Sequence, residues 1–241
     1  MKAVDSMADP IPELELYLVR HGQSRSNAGL GDPADVRAFE DPVLTKKGLL
    51  QAQLLGEYYK RYPLDCVLSS GMNRALETAG EVAQRQARAN TVETHPIFTE
   101  CGVPRAFGRK TFAEIKSAYP FAEPAAGLST ASNFVFTGEP DTDEARYARA
   151  QTALRYLRER FRHGERVMVV AHAAFSTVML FAALDLGPSP AFDFSFVNTG
   201  VSKLLFYRPG TGKYDADVHL VFHDDRSHLA AMFADELVDA T

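Results

Sequence analysis

The chain has 241 residues, enough for one large α/β domain or two small ones, and its composition is 46% hydrophobic and 24% charged, which is ordinary for a globular protein. Its formal net charge of −5 argues against a general nucleic-acid-binding protein, which needs a basic face. No apolar run approaches the roughly 20 residues of a membrane span. The N-terminus also lacks the apolar core of a signal peptide. Cys66 and Cys101 have no metal-ligand spacing, so we expect reduced thiols and a cytoplasmic location.

The predicted elements alternate between strand and helix after a tail, 1–13, that we expect to be flexible. Strands are predicted at 16–19, 64–68, 91–98, 166–171, 201–207 and 218–222, and helices at 45–61, 72–88, 111–119, 142–162, 174–184 and 227–238. This order predicts an α/β fold, a three-layer α/β/α sandwich around a mostly parallel sheet. We expect one domain, 14–241, with a C-terminal hairpin that turns at 209–213.

The stretch 102–143 has weak periodicity and many aromatic residues, which is typical of a lid or binding insertion. The aromatic residues could hold a ligand or could simply pack the lid against the body. Arg105, Arg109 and Lys110 could bind a second anionic group of a substrate, or they could belong to a solvated turn.

The first predicted strand ends in Arg20, His21 and Gly22. A guanidinium beside an imidazole suits a phosphate group, because the first holds two oxygens while the second attacks or donates a proton. Gly22 would let the backbone pass close to a ligand. Ser26 and Asn27 predict a helix start whose N–H groups would face an anion. The alternative is a surface turn with a solvated Arg and His.

Three further strands end in reactive polar groups: Ser69 with the nearby Arg74, then Glu100, then His172. Ligands of open parallel sheets bind outside the carboxyl ends of the strands, so we expect these groups to form one site. Arg74 lies in the first turn of a predicted helix, where a cation is disfavoured. The sequence therefore predicts a negative group beside it.

Two His, two Arg and one Glu form a coherent set for phosphoryl transfer. The arginines neutralise a phosphate dianion, one histidine attacks phosphorus, and Glu100 protonates the departing alkoxide and later deprotonates water. Because the cationic groups supply the charge stabilisation, we expect no metal and no cofactor. A zinc site is the alternative use of two His and a Glu, but the arginines would repel the ion and no HExxH spacing exists.

RHGQSRSN at 20–27 resembles the signature of the histidine phosphatase superfamily, in its phosphoglycerate-mutase-like branch. DPVLTKKGLLQ at 41–51 and SSGMNRALETA at 69–79 are similar to further segments of that family. TE at 99–100 and VVAHAAF at 169–175 fall where the family has its acid and its second histidine. The matching segments run from about 16 to 100 and from about 142 to 206.

The resemblance implies a metal-independent phosphatase that hydrolyses a small-molecule phosphate monoester through a phosphohistidine. His21 would be the nucleophile and Glu100 the general acid and base, and the phosphate pocket would comprise Arg20, Asn27, Arg74 and His172. We expect no nucleic-acid or membrane partner. The alternatives are phosphoryl transfer of the phosphoglycerate-mutase type and a catalytically idle phosphate-binding module.

Four departures from the family pattern bear on this interpretation. Gly71 replaces the usual Pro, and Ala173 replaces the Gly after the second histidine, so a methyl group narrows the pocket while the backbone N–H stays available. Ser24 in place of Arg disfavours the acid-phosphatase branch. The chain has no Trp, so the F-x-G-W segment of true mutases is missing and hydrolysis is favoured.

The remaining histidines have no paired sequence context, and we interpret them as surface or capping residues. A substrate-facing role for His223 and His228 stays open. The set comprises His95, His163, His219, His223 and His228.

Overall fold

The apolar runs of the sequence form the middle of a seven-stranded sheet in the computed structural model, which describes residues 10–30, 41–103, 109–135, 141–212, 216–230 and 232. The strand order is β4-β3-β2-β5-β1-β6-β7. Strands β1 to β5 pair in parallel, whereas β6 is antiparallel to both β1 and β7. The strands are β1 Leu14–Arg20, β2 Cys66–Ser69, β3 Val92–Thr94, β4 Ala122–Pro124, β5 Glu165–Ala171, β6 Val201–Phe206 and β7 Val218–Asp225.

Helices cover both faces of this sheet, so the predicted three-layer sandwich is confirmed. The helices are α1 Lys46–Tyr59, α2 Asn73–Ala83, α3 Phe112–Ala118, α4 Asp143–Arg160 and α5 Ala173–Ala183. One core cluster joins α1, α2 and α3 to the sheet, and the other joins α4 and α5 to its opposite face. Alternate side chains of β1 enter the two clusters, as the twofold period of a strand requires.

Two helix starts lie where the sequence placed them. Thr45 accepts a hydrogen bond from the Gly48 amide at 3.0 Å, and Thr142 accepts one from the Ala145 amide at 3.3 Å. Each side chain satisfies one of the amides that a helix leaves unpaired in its first turn.

Helix α2 and strand β3 are both shorter than predicted. Helix α2 ends at Ala83 rather than at 88, and the side chain of Gln86 binds the Leu64 amide and the Tyr59 carbonyl instead of continuing the helix. Strand β3 ends at Thr94 because Pro96 has no N–H for the sheet and opens a 3₁₀ turn, Pro96–Phe98.

The segment 102–143, predicted as a lid or binding insertion, is partly built into the body, and a role over the site stays a prediction. Strand β4 lies at the edge of the sheet beside β3, and Phe112, Ile115 and Phe134 are buried in the core. The short β4, which ends in Pro124, was not predicted. Phe107 and Phe136 lie outside the described residues.

The predicted C-terminal hairpin is confirmed by the antiparallel pairing of β6 with β7. The helix predicted at 227–238 begins instead with a 3₁₀ turn, Ser227–Leu229, and most of its remainder lies outside the described residues. Of the predicted tail, residues 1–9 also lie outside them, whereas the Glu13 amide donates to the Phe206 carbonyl at 2.7 Å. None of the described helices combines the length and the apolar character that a membrane crossing needs.

Candidate active site

The carboxyl ends of β1, β2 and β5 lie side by side and bring two histidines together. His21 follows β1 and His172 follows β5, and their ring centroids are 5.2 Å apart. Both imidazoles are almost completely buried. The parallel register of β1 and β5, in which Arg20 pairs with Ala171, places the two histidines opposite each other.

The hydrogen bonds of His21 define its tautomer. Its Nδ1 lies 2.7 Å from the Gly22 carbonyl oxygen, which only accepts, so Nδ1 carries the hydrogen. Its Nε2 accepts a hydrogen bond from Arg74 Nε at 3.1 Å. Burial, together with the adjacent Arg74 and Arg20, lowers the pKa of His21 well below 6.5. The ring is therefore neutral at pH 7, with a lone pair on Nε2.

Arg74 occupies the first turn of α2, and a carboxylate lies at that helix start as predicted. Asp41 Oδ1 accepts a hydrogen bond from the Asn73 amide at 2.6 Å. Burial lowers the pKa of Arg74, and the charge of Asp41 opposes that shift. The negative group that the electrostatics of the helix required is thus Asp41, which the sequence did not identify.

His172 is held by a residue that sequence reasoning missed. Ser70 Oγ lies 2.8 Å from His172 Nε2, whereas the hydroxyl of Ser69, the serine that the sequence singled out, donates to the Ser70 carbonyl. Burial and the charge of Arg74 lower the pKa of His172 well below 6.5. The strand end alone did not distinguish Ser70 from Ser69, and the pairing of β2 with β5 brings Ser70 to His172.

Two buried polar atoms of this cluster have no hydrogen-bond partner among the described residues. They are Arg20 Nε and His172 Nδ1. The other end of the Arg20 side chain is fixed, because Nη1 donates to the Phe196 carbonyl at 2.6 Å. Burial lowers the pKa of Arg20, and the carboxylates of Glu100 and Asp224 oppose the shift. Unpaired buried polar atoms beside arginines indicate a place for an anionic ligand.

The Glu100 carboxylate lies at the N-terminus of α5, the helix that begins directly after His172. Its Oε1 accepts hydrogen bonds from the Phe175 and Cys101 amides, both at 2.9 Å, and Oε2 accepts one from the Ala174 amide at 3.4 Å. A carboxylate is stabilised there by the unpaired amides and the dipole of the helix. Ala173, predicted to contact substrate, is the first residue of α5.

Arg149 of α4 supports the acid and was not predicted. Its Nη1 donates to the Thr99 carbonyl at 2.6 Å, and its guanidinium lies 4.1 Å from the centre of the Phe175 ring. It therefore contacts the backbone directly before Glu100 and the ring of Phe175, whose amide Glu100 binds. Nothing in the sequence distinguished it from the other arginines of α4.

The segment after His21 forms turns rather than the predicted helix start. Asn27 Oδ1 accepts from the Ser24 amide at 3.3 Å and from Asn198 Nδ2 at 3.1 Å. Asn198 Nδ2 also lies 3.0 Å from the His21 carbonyl oxygen. Asn27 is thus linked to the His21 backbone through Asn198, and its side chain is exposed. Asn198 precedes β6, and no sequence motif indicated it.

Gly22 has a packing role in addition to its predicted approach to a ligand. A Cβ atom at this position would lie 2.5 Å from the Gly48 carbonyl oxygen, and the Gly22 amide donates to Thr78 Oγ1 at 3.0 Å. The backbone at Gly22 thus packs closely against α1, and its approach to a ligand stays a prediction. Gly71 also lies where a side chain would not fit, since a Cβ there would lie 2.0 Å from the Phe134 carbonyl oxygen.

The three basic residues that could bind a second anionic group of the substrate differ in their surroundings. Lys110 Nζ binds Asp41 Oδ2 at 2.7 Å and Asn73 Oδ1 at 2.8 Å, so it belongs to the framework around α2. Arg109 is exposed, and Arg105 lies outside the described residues.

The histidines outside the cluster of His21 and His172 have different surroundings. His95 caps its 3₁₀ turn as predicted, accepting from the Ile97 amide at 3.0 Å. His228 is buried against Thr199 Oγ1 at 3.0 Å, so its interpretation as a surface residue is wrong. His223 lies 2.9 Å from both Ser202 Oγ and the Ser195 carbonyl oxygen.

In the part of the chain that the structure describes, no group of three or more His, Cys, Asp or Glu residues is placed to hold a metal ion. Cys66 and Cys101 are free thiols.

The strand order and the paired histidines define a class of protein, and the family model of the histidine phosphatase superfamily (branch 1) matches residues 16–213. The chain belongs to that superfamily, as the RHG segment and the later motifs indicated.

One curated relative matches part of the chain. Probable phosphoglycerate mutase GpmB of Salmonella choleraesuis is 35% identical over 71 residues, which cover 30% of this chain and 31% of that protein. The match thus spans about a third of the relative's length.

Two solved structures share the fold. A phosphoserine phosphatase mutant from Entamoeba histolytica in complex with phosphoserine has a TM-score of 0.56 and 20% identity, and the match covers 90% of this chain and 99% of that chain. Phosphoglycerate mutase from Bacillus anthracis has a TM-score of 0.59 and 18% identity, and the match covers 90% and 95%.

Proposed function

We propose that this protein is a phosphatase that hydrolyses a small phosphate monoester through a phosphohistidine at His21, without a metal ion. The observation that carries the proposal is the hydrogen bond from His21 Nδ1 to the Gly22 carbonyl at 2.7 Å. It leaves Nε2 unprotonated, and Nε2 faces Arg74 beside the second histidine. A neutral imidazole held in this way is a competent nucleophile.

In the first step, the phosphate group of the ester enters the cluster and takes over the hydrogen bond that Arg74 now gives to His21. Arg20, Arg74 and His172 surround its oxygens, and Arg20 Nε and His172 Nδ1 acquire the partners they lack. His21 Nε2 forms a bond to phosphorus as the bond to the ester oxygen breaks. Glu100, which enters this step in its protonated form, gives its proton to the departing alkoxide.

In the second step, Glu100 takes a proton from water, and the water oxygen bonds to phosphorus as the N–P bond breaks. Inorganic phosphate leaves and His21 regains its lone pair. The arginines offset the charge of the transferring phosphoryl group in both steps, in a site from which most water is excluded. Asn27, linked through Asn198 to the His21 backbone, lies at the exposed side of the pocket.

A mutase is the second candidate, and the curated relative named as a probable phosphoglycerate mutase favours it. A mutase would return the phosphoryl group of the same phosphohistidine to another hydroxyl of the substrate. The missing Trp of the mutase segment favours transfer to water instead. An idle binding module is disfavoured because His21 and Glu100 are both present.

The test is a panel of phosphate esters, including phosphoserine and 3-phosphoglycerate, assayed with and without EDTA. We expect phosphate release that EDTA does not change. Acid-quench trapping with labelled substrate should give an acid-labile, base-stable phosphoenzyme. The mutase alternative predicts label in an isomeric ester rather than in inorganic phosphate.

His21→Ala should abolish both turnover and labelling, because the nucleophile forms the covalent bond. The matched control is His163→Ala, since His163 is exposed. Label on a hydroxyl or carboxylate, or activity lost with EDTA, would contradict the proposal.

A further inference from the structure

An open cleft of about 620 Å³ lies beside the histidine cluster. One wall is the first three turns of α5 and the other is the segment 188–196. Its apolar surface is mostly aromatic, with Phe181, Phe192, Phe194 and Phe196 among the lining residues. The size is within the usual range for small-molecule sites, roughly 300–1,000 Å³.

The cleft shares residues with the proposed catalytic cluster at two points. Ala174 lines it, and the Ala174 amide donates to Glu100 Oε2 at 3.4 Å. Phe196 also lines it, and the Phe196 carbonyl accepts the hydrogen bond from Arg20. The cleft therefore adjoins the Glu100 carboxylate and the Arg20 side chain.

The aromatic wall is fixed by polar contacts behind it. The Ser195 carbonyl oxygen lies 2.9 Å from His223 Nε2, and the Val197 amide donates to Asp224 Oδ1 at 2.9 Å. Thr177 Oγ1 donates to the Phe194 carbonyl at 2.7 Å. The wall is thus formed before any ligand binds, while Phe192 remains 52% exposed on it.

The charged residues of the cleft do not favour an anion. Asp143 and Asp193 line it with Arg146. The guanidinium of Arg146 binds both carboxylate oxygens of Asp141, at 2.8 and 2.6 Å, and also Asp143. Its charge is therefore already balanced by neighbouring carboxylates.

We propose that this cleft binds the leaving group and selects phosphomonoesters of apolar alcohols over esters that carry a second anionic group. The inference rests on the proposed phosphatase function. His21 would displace an alkoxide that Glu100 protonates, and the apolar part of that alcohol would lie against Phe192 and Phe194. Residues 188–196 thus form a second candidate surface for the substrate, besides the insertion 102–143 whose aromatic residues could hold a ligand.

The test uses n-alkyl phosphates from methyl to hexyl, because their leaving groups have similar basicity and differ mainly in apolar surface. The wild-type kcat/KM should rise about two- to fourfold per methylene group until the cleft is filled. Phe192→Ala should lower kcat/KM about tenfold for hexyl phosphate and leave methyl phosphate within about twofold. Leu50→Ala, at an exposed apolar residue of α1, is the matched control and should leave both unchanged. Wild-type kcat/KM should be lower for 3-phosphoglycerate than for hexyl phosphate.

A flat dependence on chain length, or an equal loss on methyl and hexyl phosphate in Phe192→Ala, would overturn the cleft assignment while hydrolysis itself persists. A preference for 3-phosphoglycerate over hexyl phosphate would do the same. Absence of both hydrolysis and phosphoenzyme with every ester would overturn the proposed function, and this inference with it.

Discussion

His21 and His172 share one pocket but stand in different hydrogen-bond environments. His21 has its lone pair on Nε2, fixed by the Gly22 carbonyl, whereas the Nε2 of His172 is 2.8 Å from Ser70 Oγ and its Nδ1 has no partner in the described chain. Only one of the two is therefore oriented by a backbone carbonyl as a nucleophile. The other is positioned as a donor to a bound anion.

His172→Ala should reduce kcat by about thirty- to a thousandfold without preventing the phosphoenzyme, because His172 contributes hydrogen bonding and charge worth about 2–4 kcal/mol. Ser70→Ala should reduce kcat less, since the imidazole stays in place but loses its orientation. Single-turnover labelling and steady-state kinetics would measure both effects. If His172→Ala removed the labelling as completely as His21→Ala, the division of roles would be wrong.

The sequence identified residues whose position follows from the chain itself. Arg20, His21 and His172 lie directly at strand ends, so their approach follows from a parallel sheet. Ser70 and Asn198 could not be assigned, because their roles depend on partners about 100 and 177 positions away, respectively, along the chain. Such contacts leave no local pattern.

Helix α2 carries Arg74 into the pocket, and the electrostatic environment of its first turn depends on Asp41. The two oxygens of Asp41 accept from different donors, the Asn73 amide and the Lys110 ammonium. Asp41 and the Lys110 side chain are 7% and 13% exposed, respectively. The helix is thus linked through one carboxylate to the segment 102–143.

Asp41→Asn should lower the free energy of unfolding by about 3 kcal/mol, since breaking a largely buried pair leaves an uncompensated charge. The amide has a single acceptor oxygen, so it cannot serve both donors. Urea unfolding is the measurement. Glu123→Gln is the control, because it breaks an exposed pair with Lys116 and should cost less than about 1 kcal/mol. Equal losses in the two variants would contradict this account.

The helices and strands with clear hydrophobic periodicity were predictable from the sequence, whereas the short strand β4 was not. The Thr caps and the apolar runs specified α1, α4, β1 and β5 within a few residues. Strand β4 has three residues and ends in Pro124, so only its position beside β3 makes it a strand. The same long-range contact explains why part of 102–143 is framework.

At the scale of the whole molecule, buried neutral histidines make stability depend on pH. Burial lowers the pKa of His228 to about 4, and it lowers those of His21 and His172 in the same direction. Between pH 6.5 and 4 the unfolded chain binds more protons at His228 than the folded chain. The free energy of unfolding is therefore highest above pH 6.5 and falls as the pH decreases.

The contribution of His228 should be about 3 kcal/mol, fully present above pH 6.5 and lost on acidification to about pH 4. His228→Gln should flatten the decline of unfolding free energy between pH 7 and pH 4.5, whereas His163→Gln at the surface should not. Denaturant unfolding at a series of pH values would measure the slope. An unchanged slope in His228→Gln would show that the buried histidine is not the source.

The central position of β1 has a consequence for the synthesis of the protein. Leu14 pairs with Glu165 on one side and with Phe206 on the other, so β1 leaves the ribosome with neither of these partners until about 150 further residues follow. At about 5–20 residues per second this takes about 8–30 s. During that time the apolar LELYLVR stretch of the nascent chain is unpaired on both edges. The sheet centre, and His21 with it, is therefore completed late in translation, after β5 and β6 have emerged.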